Sequence, residues 1–240
     1  MKKLWQKEYS LRGCDMDKFG HIKPSAILEF FQDAAGQHAE ELGLGFEAML
    51  KRNYLWVMTR VKFQILSAPK QFQKIVVKTW PLEPNRINYK REYVIEDLNG
   101  NVLIRGGSEW VVIDSVKRRF VTVTDLYPFN DGFEKEVMFK EKLQKIRDFE
   151  TKGEGYFVCA GFSELDNNNH VNNTKYANYI MNAIAPKQRE QIESFQIDYR
   201  KEVMEGAKLE IFHTREENII VVKGVNESGE IAFSCKIEYK

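Results

Sequence analysis

Cysteine is scarce, and what there is carries no pattern: Cys14, Cys159 and Cys235 are the only three in 240 residues, widely separated and without a Cys-x-x-Cys or Cys/His spacing. An odd, scattered set excludes a disulfide framework and a cysteine-based metal cage; it suits packing roles in a reducing compartment. Long apolar runs are missing as well. Nothing approaches the roughly 18 consecutive apolar residues of a membrane helix, and Met1 to Lys7 runs into charged sequence without the apolar stretch of an export signal. A cytoplasmic protein with no membrane partner is expected. An excess of one charge is the third absence, 36 Lys and Arg against 35 Asp and Glu for a formal charge of +1. That balance argues against a dedicated nucleic-acid binder and leaves local basic patches. What is present, 43% hydrophobic and 30% charged residues, excludes disorder. A chain of this mass buries roughly 70–75% of its unfolded surface, as one large domain or two small ones.

Sliding the chain along itself exposes an internal repeat. Asp15-Met16-Asp17-Lys18-Phe19-Gly20-His21-Ile22 falls on Glu164-Leu165-Asp166-Asn167-Asn168-Asn169-His170-Val171. The register continues with Ser25 on Thr174, Phe30 on Tyr179 and Ala34 on Ala183. A second register sets Asn99-Gly100 on Ser228-Gly229, at a smaller shift that implies a shorter second copy. Two related modules are therefore expected.

Each copy reads as a short strand, a polar turn, a helix and then antiparallel strands. Pro24 suits an early helical position, ahead of the stripe Ile27, Phe30, Phe31, Ala34 and Ala35; Tyr176, Ala177, Tyr179, Ile180, Ala183 and Ile184 repeat it. Leu55, Val57, Thr59, Val61, Phe63 and Ile65 alternate as a strand; Ile75 to Trp80, Tyr89 to Glu96 and Val102 to Asp114 follow, the last two joined at Asn99-Gly100. In the second copy the strands are Ser194 to Glu202, Lys208 to Thr214, Ile219 to Val225 and Ile231 to Tyr239. This divides the chain into an N-terminal unit, residues 1–130, a charge-rich connecting segment, 131–155, with room for some helix, and a C-terminal unit, 156–240.

A helix on an antiparallel sheet, given twice, resembles the double hotdog fold, of class α+β. The string Leu165-Asp166-Asn167-Asn168-Asn169-His170-Val171-Asn172-Asn173, followed by Lys175-Tyr176, resembles the active-site segment of the acyl-(acyl carrier protein) thioesterases. Three further pieces agree: Thr79-Trp80 with its following basic stretch, Trp110 to Asp114 before Arg118-Arg119, and Tyr199-Arg200-Lys201-Glu202. Plant members carry plastid transit peptides, so the resemblance is to the shorter bacterial type. It implies a catalytic group of Asp166, Asn168, His170 and Glu202, no metal and no organic cofactor, and hydrolysis of fatty acyl thioesters on acyl carrier protein.

Hydrolysing a thioester takes a directed water, a proton acceptor and donors for the developing oxyanion. His170 is expected just before a helix N-terminus, where the dipole disfavours imidazolium. Asp166 and Asn168 can orient water or the imidazole, and Asn168 can donate to the carbonyl; Glu202, expected on a strand, is the candidate base. Plant relatives often carry a cysteine after this glutamate, but Val203 stands here, so attack by water is expected rather than by a thiol. In the first copy Asp17 and His21 keep the spacing, but Phe19 replaces the asparagine and Gln64 falls near the place of Glu202, so this turn reads as a degenerate site. His38 reads as a hydrogen-bonded core or interface residue and His213 as a surface one.

Trp56, Met58, Trp80 and Trp110 could line an acyl tunnel in the first unit, with core packing an equally good reading of each tryptophan. The acidic carrier protein, bearing the acyl-phosphopantetheine thioester, would dock on basic residues: Arg86, Lys90 and Arg91, with Lys117, Arg118 and Arg119, are the candidates. Solvated strand faces and hairpin tips are the competing reading of both runs. An acyl-CoA thioesterase and a non-catalytic acyl-binding protein are the rival functions, and assembly as a homodimer stays open.

Overall fold

The computed structural model describes residues 2–123, 126–140 and 142–240. A first strand, β1 (Trp5–Ser10), passes a polar turn into α1 (Pro24–Glu41), where Pro24 takes a first-turn position whose N–H needs no partner. After the short α2 (Phe46–Leu50) come β2 (Tyr54–Ile65), β3 (Lys74–Pro81), β4 (Tyr89–Asp97), β5 (Val102–Asp114) and the two-residue β6 (Phe120–Val121). The second copy repeats the plan with β7 (Tyr156–Cys159), α3 (Tyr176–Ile184), β8 (Ile192–Tyr199), β9 (Lys208–Glu216), β10 (Ile219–Asn226) and β11 (Ile231–Tyr239). Among the described residues no helix is long and apolar enough to cross a membrane.

All the strands join one antiparallel sheet in the order β1-β3-β4-β5-β2-β8-β11-β10-β9-β7, with β6 beside β5. Read from either edge, each half has the same order, so the expected pair of α+β helix-on-sheet units forms and the halves meet at β2 and β8. There Arg60 pairs with Asp198 and Phe63 with Phe195, whose rings stack 5.2 Å apart. The core lies between the sheet and the two helices: Ile27, Phe31 and Ala34 of α1 and Ala177 and Ile180 of α3 are almost wholly buried. Gly106 of β5 makes that seat close, since a Cβ there would come 2.2 Å from the Phe31 ring.

Three local expectations are corrected. The strict alternation through β2 breaks at a bulge between Met58 and Arg60, so both Met58 and Val61 face the core. The strand expected to reach Glu202 ends at Tyr199, because the Arg200 and Lys201 amides both turn to the Ala232 carbonyl. The connecting segment holds no helix among its described residues; it is an extended strap across the face of the sheet away from the helices. Its polar bonds follow the strands in turn: Trp80 Nε1 donates to Glu136 O (3.0 Å), Met138 N to Glu92 Oε2 (2.9 Å), Arg60 Nη1 to Leu143 O (3.1 Å), Gln196 Nε2 to Gln144 O (2.8 Å) and Ile146 N to Asp198 Oδ2 (2.8 Å). Lys223 Nζ then meets Asp148 (2.8 Å), and Gly155 N donates to Glu210 (2.9 Å).

Beneath this strap, burial pushes the Glu92 carboxyl up to about 7, with the Met138 amide and Lys90 opposing. The folded chain therefore holds this proton more tightly than the unfolded one, and stability falls as pH rises from the usual carboxylate range through about 7. Glu92→Gln keeps an acceptor for Met138 and removes the charge. It should stabilise the protein by on the order of 2 kcal/mol at about pH 8, with the gain gone at about pH 4, in urea unfolding. A gain equal at both pH values would show that ionisation of Glu92 is not its cause.

Candidate active site

The two polar turns of the repeat are built by the same bonds. Asp17 N donates to His21 O (2.7 Å) and Asp166 N to His170 O (2.8 Å); Gly20 N returns to Asp17 O (3.1 Å) and Asn169 N to Asp166 O (3.0 Å). The carboxylates close them: Asp17 Oδ1 accepts from Phe19 N and His21 N, and Asp166 Oδ1 from Asn168 N (2.8 Å) and His170 N (3.4 Å). Gly20 and Asn169 occupy the matching left-handed positions at φ 81° and 60°, as residues that tolerate that conformation do. Both aspartates thus have a structural task that needs no chemistry.

What lies across from each histidine differs. His21 Nδ1 is 3.7 Å from its own turn's Asp17 Oδ2. His170 Nε2 is 3.4 Å from Glu202 Oε2, and Glu202 Oε1 is hydrogen-bonded to Arg118. Gln64 is not the counterpart of Glu202. Leu11 N to Gln73 O and Phe72 N to Leu11 O in the first unit match Ala160 N to Ala207 O and Gly206 N to Ala160 O in the second. These bonds set Phe72 opposite Gly206, so Glu202 corresponds to Ala68, while Gln64 lies on β2 holding Arg105. His170 also departs from its expected setting. It forms an isolated bridge with Met204, and α3 begins at Tyr176, past the intervening Asn172–Lys175 turn. A helix dipole fades within its first turn, so His170 lies outside its reach. Beneath the turn the Tyr176 phenol is raised by burial and then by the charges of Asp166 and Glu202, which keeps it protonated.

A cavity of about 700 Å³ opens beside the second turn, lined there by Asp166, Asn168, Asn172 and Asn173. It follows α1 into the first unit, where Leu42, Leu44, Met49, Trp56, Trp110 and Tyr127 line it. Trp56 is fixed by its indole N–H on Leu44 O (3.0 Å) and Trp110 by its own on Ser108 Oγ (2.7 Å). Lys175 on Glu29 (3.0 Å) ties the second turn to α1. Of the other tunnel candidates, Met58 borders a separate small void, and Trp80 is on the opposite face of β3, bound to the strap.

Arg91, expected at a docking surface, is inside the protein. It is 6% exposed, lines the cavity, and donates to His38 Nδ1 (3.1 Å) and Thr79 Oγ1 (3.2 Å). Strand parity carried the signal: Tyr89, Arg91, Tyr93 and Ile95 share one face, and three of these four are core residues. His38 gives its Nε2–H to Lys2 O (3.0 Å), and burial followed by Arg91 lowers it to about 4, so it is neutral and accepts from Arg91. Lys90 turns outward, 3.9 Å from Glu109. Arg86, Lys117, Arg118 and Arg119 are exposed, and the Arg118 contact with Glu202 has no sequence signal beyond a basic run. Val203 is buried with its carbonyl accepting from Val171 N (2.8 Å), and burial raises the Cys235 thiol well above its usual range.

Residues 2–128 match the acyl-ACP thioesterase N-terminal domain and residues 158–240 the acyl-ACP thioesterase C-terminal domain. The chain is 24% identical over 216 residues to the chloroplastic palmitoyl-acyl carrier protein thioesterase of Arabidopsis thaliana, covering 83% of this chain and 52% of that one. It is 26% identical over 233 residues to the oleoyl-acyl carrier protein thioesterase of Coriandrum sativum, covering 86% and 62%. The chain thus spans about half the length of the curated relatives it matches. Its fold is that of an acyl-ACP thioesterase from Bacteroides thetaiotaomicron (TM-score 0.91, 23% identity, 99% of this chain and 98% of that one). It is also that of the 12:0-ACP thioesterase from Umbellularia californica (TM-score 0.86, 22% identity, 100% and 98%). With both family domains matched in order along one double-unit sheet, the chain belongs to the acyl-ACP thioesterase family.

Proposed function

We propose that this protein hydrolyses fatty acyl thioesters carried on acyl carrier protein, releasing the free fatty acid by direct attack of water. The observation that carries the reading is the His170–Glu202 pair, 3.4 Å apart, beside a turn whose Asp166 and Asn168 line a cavity of about 700 Å³ with an apolar far end. In this reading the acyl chain lies along α1 between Trp56 and Trp110, with the thioester at the second turn. Glu202, oriented with His170, takes a proton from water as its oxygen bonds to the thioester carbon; Asn168 donates to the oxyanion. Collapse of the tetrahedral intermediate breaks the C–S bond, and the thiolate leaves with the carrier arm and takes up a proton. The first turn, with Ala68 where a base would stand, binds no substrate. Arg86, Lys117 and Arg119 are exposed cations suited to an acidic carrier, Lys90 less so because Glu109 is its neighbour.

Matched acyl chains should therefore be cleaved far faster from the carrier than from CoA in steady-state assays. The preference should weaken with added salt, since exposed charges are screened over about 8 Å at physiological ionic strength. Equal kcat/KM on both substrates would sink the carrier reading.

Glu202→Gln should cut turnover by a factor on the order of 10²–10⁴. His170→Ala should abolish most hydrolysis while the chain stays folded. By contrast His21→Ala and Asp17→Asn should keep turnover within about a few-fold, their cost being about 1–2 kcal/mol of stability from the weakened turn. Loss of activity on changing the first turn with retention on changing the second would relocate the site.

Rapidly quenched reactions should yield unmodified protein by mass spectrometry, and an acyl adduct on Cys159 or Glu202 would overturn direct attack by water.

A further inference from the structure

Glu202 sits in the loop after β8, and its side chain is 42% exposed. A carboxylate so placed has several rotamers open to it, and ordering it has an entropy cost. Its two oxygens are divided between two holders: Oε2 faces His170 Nε2 at 3.4 Å, and Oε1 accepts from Arg118 Nη2. Rotation away from His170 would also break the Arg118 bond.

Arg118 belongs to the other unit, at the tip of the β5–β6 turn, and that tip is tightly built. Asp114 Oδ1 accepts from Val116 N (2.9 Å) and Lys117 N (2.7 Å), Arg118 N donates to Asp114 O (2.9 Å), and Asp114 N to Arg119 O (2.9 Å). Arg118 itself has φ 53°, the left-handed region that costs a residue with a Cβ about 1–2 kcal/mol and that glycine enters freely. The turn holds a side chain in a conformation that disfavours having one, and that side chain ends on Glu202.

We propose that Arg118 is a positioning residue for Glu202, reaching from the first unit's β5–β6 turn to hold the second unit's carboxylate against His170. The inference rests on the thioesterase reading and moves Arg118 out of the carrier-docking set. The site is then assembled from both units: the first supplies the acyl cavity and the clamp, the second the turn, the imidazole and the carboxylate.

The test uses a carrier-free acyl thioester of N-acetylcysteamine, so that docking cannot contribute. Arg118→Gln should lower kcat roughly tenfold to a hundredfold, the scale of a misplaced catalytic group, with KM little changed. Arg118→Lys should recover most of the loss, because an ammonium can hold the same oxygen. Arg118→Gly should show the same loss of kcat in a protein no less stable, since it releases the strained backbone. In a Glu202→Gln background Arg118→Gln should have no further effect, the coupling expected of a contacting pair. The ring resonances of His170 read the same chain of contacts without turnover: Arg118→Gln should move them in the parent and not in Glu202→Gln. Unchanged kcat on the carrier-free thioester, with only the KM for the carrier raised, would make Arg118 a docking residue and overturn the proposal. An equal loss in both backgrounds would overturn it too. A parent that hydrolyses no thioester would defeat the thioesterase reading, and His170 resonances indifferent to Arg118→Gln would then independently defeat this one.

Discussion

Antiparallel pairing between β2 and β8 is the constraint on which the rest of the molecule depends, because it turns two half-sheets into one. Five consecutive pairs, from Arg60 with Asp198 to Gln64 with Ser194, fix the register. A slip of one residue would put Phe63 and Phe195 on opposite faces, leaving one of the two stripes out of the core. That register also sets the second unit's polar turn at the open end of the first unit's cavity, and brings the β5–β6 turn within reach of the loop after β8. Among the described residues, neither unit alone has both an apolar channel and a histidine facing a carboxylate from outside its own turn.

The seam is also where charge is buried. On the face away from the helices, Arg60 is held between Asp198 (2.6 Å) and Glu109 (3.0 Å), and the strap adds the Leu143 carbonyl and the Ile146 amide. Buried ions are tolerated when paired and hydrogen-bonded, and removing one partner leaves a costly uncompensated charge. Here the network joins β5, β2, β8 and the strap, so a wrong docking of the units would leave several charges unpaired. The extended strap follows from this: a helix would satisfy its own amides and carbonyls, whereas this segment uses them to complete the polar groups beneath it.

The architecture was legible because duplication wrote it twice. The shift that sets Asp17 on Asp166 and His21 on His170 identified both turns, and the matching hydrogen bonds make it a physical repeat. The helix start at Pro24 and the hairpins at Gly100 and Gly229 are readable from local chemistry alone, whereas α3 begins at Tyr176, later than the start expected just after His170. The bulge in β2 is not readable, since one extra residue reverses strand parity without altering composition. Residue type misleads at Trp80 and Arg91, where parity is the better guide: Trp80 alternates away from Ile75, Val77 and Thr79, and Arg91 shares the face of Tyr89 and Tyr93. Glu202 is legible by resemblance, but its loop, its grip by Arg118 across 84 residues of sequence and its true first-unit counterpart, Ala68, depend on contacts between distant parts of the chain.

The two turns keep one form in different surroundings, and in the proposed reading only the second takes part in the chemistry. Asp17 and Asp166 accept from the same backbone amides, so packing alone is reason to retain an aspartate in both places. The second turn differs in what surrounds it: asparagine in place of Phe19, a polar Asn172–Asn173 stretch at the cavity, and a loop that brings a carboxylate to the imidazole. In the first unit, Trp56, Trp110 and Leu44 give the space along α1 an apolar wall that suits a hydrocarbon chain, beside Arg91, whose charge is held by Thr79 and neutral His38. An apolar chain needs depth and dryness, and a reacting thioester needs ions with access to water. Under the proposed thioesterase reading, one unit could supply both only by burying its charges, and dividing the tasks across the β2–β8 seam removes that conflict.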